Sequence, residues 1–349
     1  MKSIGGYFEL EFREGVQYHE TALKLSTARQ CLEYVLRAKC YNKIYVPFYT
    51  CDAILEPILK LGISYEFYHI DKNFEPVFDR AIEEDEVFLY TNYWGLKQKT
   101  AELLARRFRN LIVDNSQAFF AKPIDGADTF YSARKFLGVP DGAYLYTNCF
   151  PIPMTDYPLF DPQSHISYLT GRLTHSAEQH YSEFTACEAE FSNLDIHRMS
   201  LLSDRILRSL DYNRIAKSRR SNYRCLHEAL QATNELKIDM DDTRDVPMCY
   251  PFLSRRPELR QRLIGQRIYV PRFWRNVTDW LNGELAFEHE LACDLCPLPV
   301  DQRYDEKENY NFRCNRKCGF LFIEVCIGLF SPQQIRHHCI GTTQNRFFR

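Results

Sequence analysis

The sequence predicts an α/β protein, with a large, mainly parallel, doubly wound sheet followed by a smaller α+β unit. Three observations predict it. Helix-like and strand-like periods alternate between about residues 22 and 150. The strand-like runs there are short and apolar or aromatic, the pattern of strands covered on both faces. Beyond about residue 200 a long helical pattern opens a second block with a different order of elements.

Taken in order, residues 21–38 read as a helix, with Leu23, Leu32, Val35 and Leu36 supplying the apolar spacing. Residues 43–47 (KIYVP) form a short strand-like run, and residues 52–61 read as a helix that ends at Gly62. Strands follow at 65–70 and 86–91, a helix at 99–108 and a strand at 110–113. Residues 151–200 carry little periodicity and read as loop-rich. The second block begins with an Arg-rich helical pattern over 201–230, a connection between domains. It continues with a strand at 247–253, a helix at 257–265 and a strand at 267–271. A chain of 349 residues suits two domains, here a large domain at 1–205 and a small C-terminal domain at 206–349.

Composition narrows the function. The apolar share of 45% supports a sizeable core, and 25 Phe with 22 Tyr suggest an interior of large rings or an aromatic-lined cleft. Interspersed charges, 44 basic against 46 acidic, create no field that would draw a nucleic-acid backbone or an anionic membrane. Residues 1–20 hold no apolar signal-peptide core, and the greasiest stretch, 319–330, is too short to span a bilayer and contains Glu324. Thirteen cysteines in such a chain read as reduced thiols, so a cytoplasmic location is expected.

Four positions at or beyond strand ends, where an open parallel sheet gathers ligands, are candidates for chemistry. Ser26-Thr27-Ala28-Arg29 opens a helix and offers either a simple N-cap or an anion site on free N–H groups. Asp114 follows the apolar run LIV and either caps a turn or pairs with a protonated ring nitrogen. Lys135 lies between an aromatic run and the turn GVPDG. It is either a solvated surface lysine or, if desolvated, an amine able to attack a carbonyl. Asn92-Tyr93-Trp94-Gly95 ends a strand and either packs in the core or lines a substrate cleft.

Together these segments resemble the DegT/DnrJ/StrS sugar-aminotransferase family of fold-type-I enzymes dependent on pyridoxal 5'-phosphate (PLP). The resemblance covers about residues 5–310 and is carried by GGYFELE, LSTARQCLEYVL, VPFYTCDAI, the Asn-Tyr-Trp-Gly turn, RIYVPRFW and PLPVDQRY. Its most specific part is VDNSQAF followed about 20 residues later by SARKFLGVPDGA. It implies an aspartate-aminotransferase-like fold and Lys135 as the catalytic residue, holding the cofactor as a Schiff base and later shuttling a proton. It implies Asp114 at the pyridinium nitrogen and Gln117 near the ring or its hydroxyl. The phosphate would meet the N–H groups of Ala28 and Arg29, helped by Ser132. Cys51 would also lie at the cofactor, and Tyr49, Asn92 and Tyr93 at the substrate. Glutamate as amino donor, a nucleotide-linked keto sugar as acceptor, a role in polysaccharide biosynthesis and a homodimer sharing its active sites are implied as well.

Several departures stand out. Ala28-Arg29 replaces the usual Gly-Thr of the phosphate turn, and Arg29 would add a charge to the phosphate or reach a substrate carboxylate. Cys51 stands where many members place an aromatic that stacks on the ring, with Tyr49 as the substitute. Ser132 lies closer to the lysine than in the common pattern. Members that dehydrate sugars carry a histidine in place of the lysine, so Lys135 favours transamination. After PLPVDQRY the tail leaves the family pattern and has no functional account.

Other readings are a regulatory protein on the same scaffold and a PLP aminotransferase for a small amino or keto acid. Cys293-x2-Cys296 with Cys314-x3-Cys318 approaches the spacing of a four-cysteine zinc cluster, but the pattern is one residue too long and no metal is expected. The basic stretch 205–224 reads as the solvated face of a long helix rather than a nucleic-acid patch.

Overall fold

The computed structural model describes residues 4–150, 153–280 and 287–304. Ten strands are present among them: β1 (Leu23–Leu25), β2 (Lys43–Pro47), β3 (Ser64–Ile70), β4 (Pro76–Val77), β5 (Glu86–Thr91), β6 (Leu111–Asn115), β7 (Asp128–Ser132), β8 (Ala143–Tyr146), β9 (Cys249–Leu253) and β10 (Leu295–Pro299). The α-helices are α1 (Ala28–Lys39), α2 (Leu55–Lys60), α3 (Gln98–Arg107), α4 (Ser167–Thr174), α5 (Tyr181–Glu190), α6 (Leu201–Arg208), α7 (Tyr212–Leu230), α8 (Leu259–Gly265), α9 (Arg275–Trp280) and α10 (Phe287–Asp294).

Strands β1 to β8 form one sheet in the order β1-β8-β7-β6-β5-β2-β3-β4. Its centre is parallel from β3 through β2, β5 and β6 to β7. Both flanks are antiparallel, so the sheet is mixed rather than uniformly parallel. Successive residues of the central strands feed two cores. Ile44, Val46, Val87 and Leu89 pack with α1 on one face, while Tyr45, Phe88 and Tyr90 join the core on the other. That two-sided burial explains why these strands read as unbroken apolar runs. The second core continues through Tyr223 and Leu226 of α7 into the small antiparallel pair β9–β10.

The elements differ from the sequence reading at several places. The segment expected as one helix at 21–38 is β1 followed by α1, because Thr27 takes extended angles and caps the helix there. The pattern at 201–230 breaks into α6 and α7, since Asp211 caps a new helix by accepting from the Arg214 N–H at 2.9 Å. No strand forms at 267–271, where Arg267 has a φ of 61°. The partner of β9 is instead β10, whose Pro-rich sequence LCPLP hid its strand character. The loop-rich reading of 151–200 gives way to short helices, α4 and α5. The basic stretch is not simply solvated. Arg219 is buried, and its neighbours Arg205, Arg208 and Arg224 pair with Glu14, Glu20 and Asp242.

Candidate active site

The parallel strands β2, β5, β6 and β7 all end towards one cavity of about 150 Å³. Thr50 and Cys51 follow β2, Thr91 closes β5, Asp114 and Ser116 come from the end of β6 and its turn, and Ser132 closes β7. Thr27, Ala28 and Arg29 add the start of α1, while Gln117, Phe130, Arg134, Lys135, Glu188 and Trp274 complete much of the rest. Helix α1 points its N-terminus here for local reasons. The Thr27 hydroxyl accepts from the Gln30 N–H at 3.4 Å, and the Ser26 hydroxyl donates to Gln30 Oε1 at 2.6 Å. The first-turn N–H groups of Ala28 and Arg29 have no acceptor within the helix, and the helix dipole favours an anion beside them.

Asp114 is buried, and burial pushes its carboxyl above the usual range, opposed by hydrogen bonds from Ser116 and by the charge of Lys135. The Ser116 N–H donates to Asp114 Oδ1 at 2.8 Å. A buried carboxylate that lines a cavity suits a cationic ligand. Burial likewise raises the Cys51 thiol, again opposed by the Lys135 charge, so the amine acts on both groups. Gln117 Nε2 and Thr91 Oγ1 are buried without a hydrogen-bond partner, leaving polar atoms for a ligand in the cavity they line.

Lys135 ends a short 3-10 turn after β7 and is exposed, unlike the desolvated lysine that the sequence reading required for a reactive amine. It lines both the first cavity and a second one of about 540 Å³. The second cavity is walled by Phe136, Arg219, Phe273, Asp301 and Arg303, among others. The backbone at the lysine is firmly fixed. The Phe136 carbonyl accepts from Arg219 Nη2 at 3.1 Å and from Gln302 Nε2 at 2.9 Å, and the Arg219 guanidinium lies 4.5 Å from the Phe136 ring centroid. On the far side of the turn, buried Asp141 accepts from the hydroxyls of Ser200 and Ser203, each at 2.5 Å, at the start of α6.

Lys135, Asp114, Gln117, Ser132, Cys51, Ala28 and Arg29 therefore share one cavity. Arg29 does not reach freely into it, because its Nε lies 3.1 Å from Glu56 Oε2. Tyr49, Asn92 and Tyr93, expected at the substrate, are fully buried behind the cavity and committed to hydrogen bonds. Tyr49 donates to the Phe273 carbonyl at 2.6 Å and Tyr93 to the Tyr49 carbonyl at 2.8 Å. Asn92 Nδ2 donates to Gln98 and Asn115, and its Oδ1 accepts from the Lys97 N–H. Their turn acts as a buttress, since the Trp94 N–H donates to Gln117 Oε1 at 3.1 Å and so orients that side chain. Gly95 permits the close approach. It has φ +74°, and a Cβ there would lie 2.9 Å from the Val246 carbonyl oxygen and 3.3 Å from that of Gln117.

Sequence reasoning missed Thr91, Ser116, Arg134, Glu188 and Trp274. The spacing Asp-x-Ser at 114–116 signals a turn whose N–H caps the carboxylate, so Ser116 was open to discovery. Glu188, which pairs with Arg134, comes from the segment with least periodicity, and nothing local marks it. Cys293 lies on α10 and Cys296 is buried in β10, while Cys314 and Cys318 lie outside the described residues.

No protein-family model matches the chain, and neither does any curated protein sequence. Solved structures do share its fold. One is a DegT/DnrJ/EryC1/StrS aminotransferase from Brucella abortus, at 14% identity and TM-score 0.56, covering 89% of this chain and 86% of that one. A second is DesV from S. venezuelae in complex with a ketimine intermediate, at 17% identity and TM-score 0.60, covering 89% and 85%. A third is the E. coli GDP-4-keto-6-deoxy-D-mannose-3-dehydratase with bound hydrated PLP, at 13% identity and TM-score 0.57, covering 89% and 87%. The chain thus has the fold that the resemblance implied.

Proposed function

We propose that the chain is a PLP-dependent aminotransferase that delivers an amino group to a keto sugar. One observation carries the reading: an amine, a buried carboxylate and a helix N-terminus border a single cavity at the ends of parallel strands. The three groups suit the three ends of PLP. The first-turn N–H groups of Ala28 and Arg29, with Ser132, would hold the phosphate. Asp114 would pair with the ring nitrogen, Gln117 Nε2 would reach a ring substituent, and Lys135 would hold the carbonyl carbon. When bound, PLP supplies an electron sink for charge that develops on a substrate carbon.

The chain's own residues do the rest. Asp114, buried at the cavity wall, would hold a protonated ring nitrogen by its charge and so keep the sink effective. Lys135 Nζ would carry a proton between substrate carbon atoms, as general base and then general acid. Its position at the border of two cavities supports this, since cofactor in one and substrate in the other would both lie within its reach. A lysine rather than a histidine at this position supports transamination over dehydration. Glutamate is the proposed donor and a nucleotide-linked keto sugar the proposed acceptor, in the cytoplasm. A homodimer is proposed because the exposed lysine leaves the site open in a single chain. A domain boundary near residue 205 would then place the cofactor cavity mostly in the larger unit.

A visible absorption spectrum tests the reading. Purified protein with PLP should show a band that glutamate bleaches and that Lys135→Ala lacks. Folded protein that stays colourless with added PLP overturns the assignment.

A further inference from the structure

The cavity holds two aromatic side chains among the described residues, and they differ in what else they do. Phe130 belongs to β7 and is packed into the core beneath α1, with Leu25, Cys31 and Leu145 among its companions. Trp274 comes from the other end of the sequence and is 9% exposed. Its neighbour Phe273 faces the second cavity, so the pair straddles the partition between the two. Three contacts pin this segment to the loop after β2. The Tyr49 hydroxyl donates to the Phe273 carbonyl at 2.6 Å, Asn276 Nδ2 donates to the Thr50 carbonyl at 2.9 Å, and the Tyr49 ring meets the Trp274 indole edge-on at 4.8 Å. Cys51, beside that pinned loop, is too small to offer a flat face.

We infer that Trp274 is the aromatic surface against which the ring of the bound cofactor packs, so that the second unit supplies one wall of the cofactor site. A flat conjugated ring gains from an aromatic partner beyond simple burial, and an indole offers the largest such face. Tyr49, the substitute suggested by its proximity in sequence, cannot serve, since it is fully buried and spends its hydroxyl on the Phe273 carbonyl. Its role is to position Trp274. The inference rests on the proposed PLP site.

The test is PLP binding by purified full-length protein, read by quenching of tryptophan emission and by the dissociation constant. Wild-type emission should be quenched as PLP binds, and Trp274→Phe should lose most of that quenching while keeping affinity within about threefold, because a ring remains. Trp274→Leu, which stays apolar but has no ring, and Trp274→Ala should weaken PLP binding on the order of tenfold, the upper range for an aromatic pair. If Trp274→Ala fails to fold, Trp274→Leu alone decides. Wild-type affinity in Trp274→Leu, or full quenching in Trp274→Phe, overturns the inference and leaves the aminotransferase reading intact. A wild-type protein that binds no PLP overturns both.

Discussion

The two walls of the strand-end cavity are built by different means. One consists of strand ends and the turns after them, where Thr91, Asp114, Ser116 and Ser132 are placed by the ladder of a central sheet. The other is the segment carrying Trp274, which approaches the loop after β2 from more than 200 residues further along and is fastened by a few side-chain and carbonyl contacts. The first wall carries charged and hydroxyl groups on a rigid frame. The second adds shape, and its attachment depends on single hydrogen bonds. A site assembled this way separates what reacts from what fits.

Substitutions can break that contrast. Lys135→Ala should have the largest effect, lowering transamination by about 10³-fold or more, the upper range for a lost general acid–base. Because the side chain is exposed, thermal stability of the protein without cofactor should stay within about 0.5 kcal/mol. A large drop in melting temperature would show that the lysine is structural. Asp114→Asn should cost on the order of 10²-fold in turnover, as loss of a preorganised charge does. It should also stabilise the protein without cofactor by about 1 kcal/mol at neutral pH. The sign follows from burial. The carboxyl is raised in the folded state, so its ionisation costs stability as pH rises through the folded value, and the gain from Asn should vanish in acid. Opposite signs in activity and stability mark a group kept for chemistry, and a loss of both would refute that.

Behind the strand-end wall, His19 is buried against Tyr131 of β7, and burial lowers its pKa to about 4. One ring nitrogen faces the Phe119 carbonyl at 2.7 Å and the other the Tyr146 hydroxyl at 3.2 Å. A depressed imidazole contributes stability above its unfolded pKa that is lost as pH falls from about 6.5 towards 4. Comparing urea midpoints of wild type and His19→Gln across that window should show roughly 3 kcal/mol less acid dependence in the variant. Equal slopes would mean that the histidine titrates freely. The smallest effect is expected in the second wall. Asn276→Ala removes the bond to the Thr50 carbonyl and should cost about 1 kcal/mol of stability with a severalfold weaker hold on PLP. No change in either would show that Tyr49 alone fastens the wall.

The same contrast governs what the sequence disclosed. Strand ends are local features. Asp114 directly after LIV, Lys135 after an aromatic run and Thr27 before a helix could be read from their neighbours, and the structure gathers them at one cavity. The turn Asn92-Tyr93-Trp94-Gly95 looked like a cleft wall because it also ends a strand, yet its polar atoms are satisfied inward and it supports Gln117 from behind. Which face a turn presents depends on what packs over it, and here that is the segment leading into β9, through contacts such as the Trp94 carbonyl with the Met248 N–H. Trp274 stood in a quoted motif but lay beyond any period that could connect it to residue 50. Strand β10 was hidden by its prolines, and β1 by the helical spacing of Leu23 with its neighbours.

The carbonyl of Phe136, grasped by Arg219 and Gln302, sits one peptide past the lysine, and on the other side of the turn Asp141 is bolted to α6. The lysine amine thus hangs on a four-carbon arm from a fixed bracket. Crossing from one cavity to the other asks for rotations within that arm alone, which exposed side chains complete in picoseconds to nanoseconds. On the proposed function, the polypeptide need not rearrange for a proton to travel, and delivery would repeat at every turnover without disturbing the scaffold from which the arm swings.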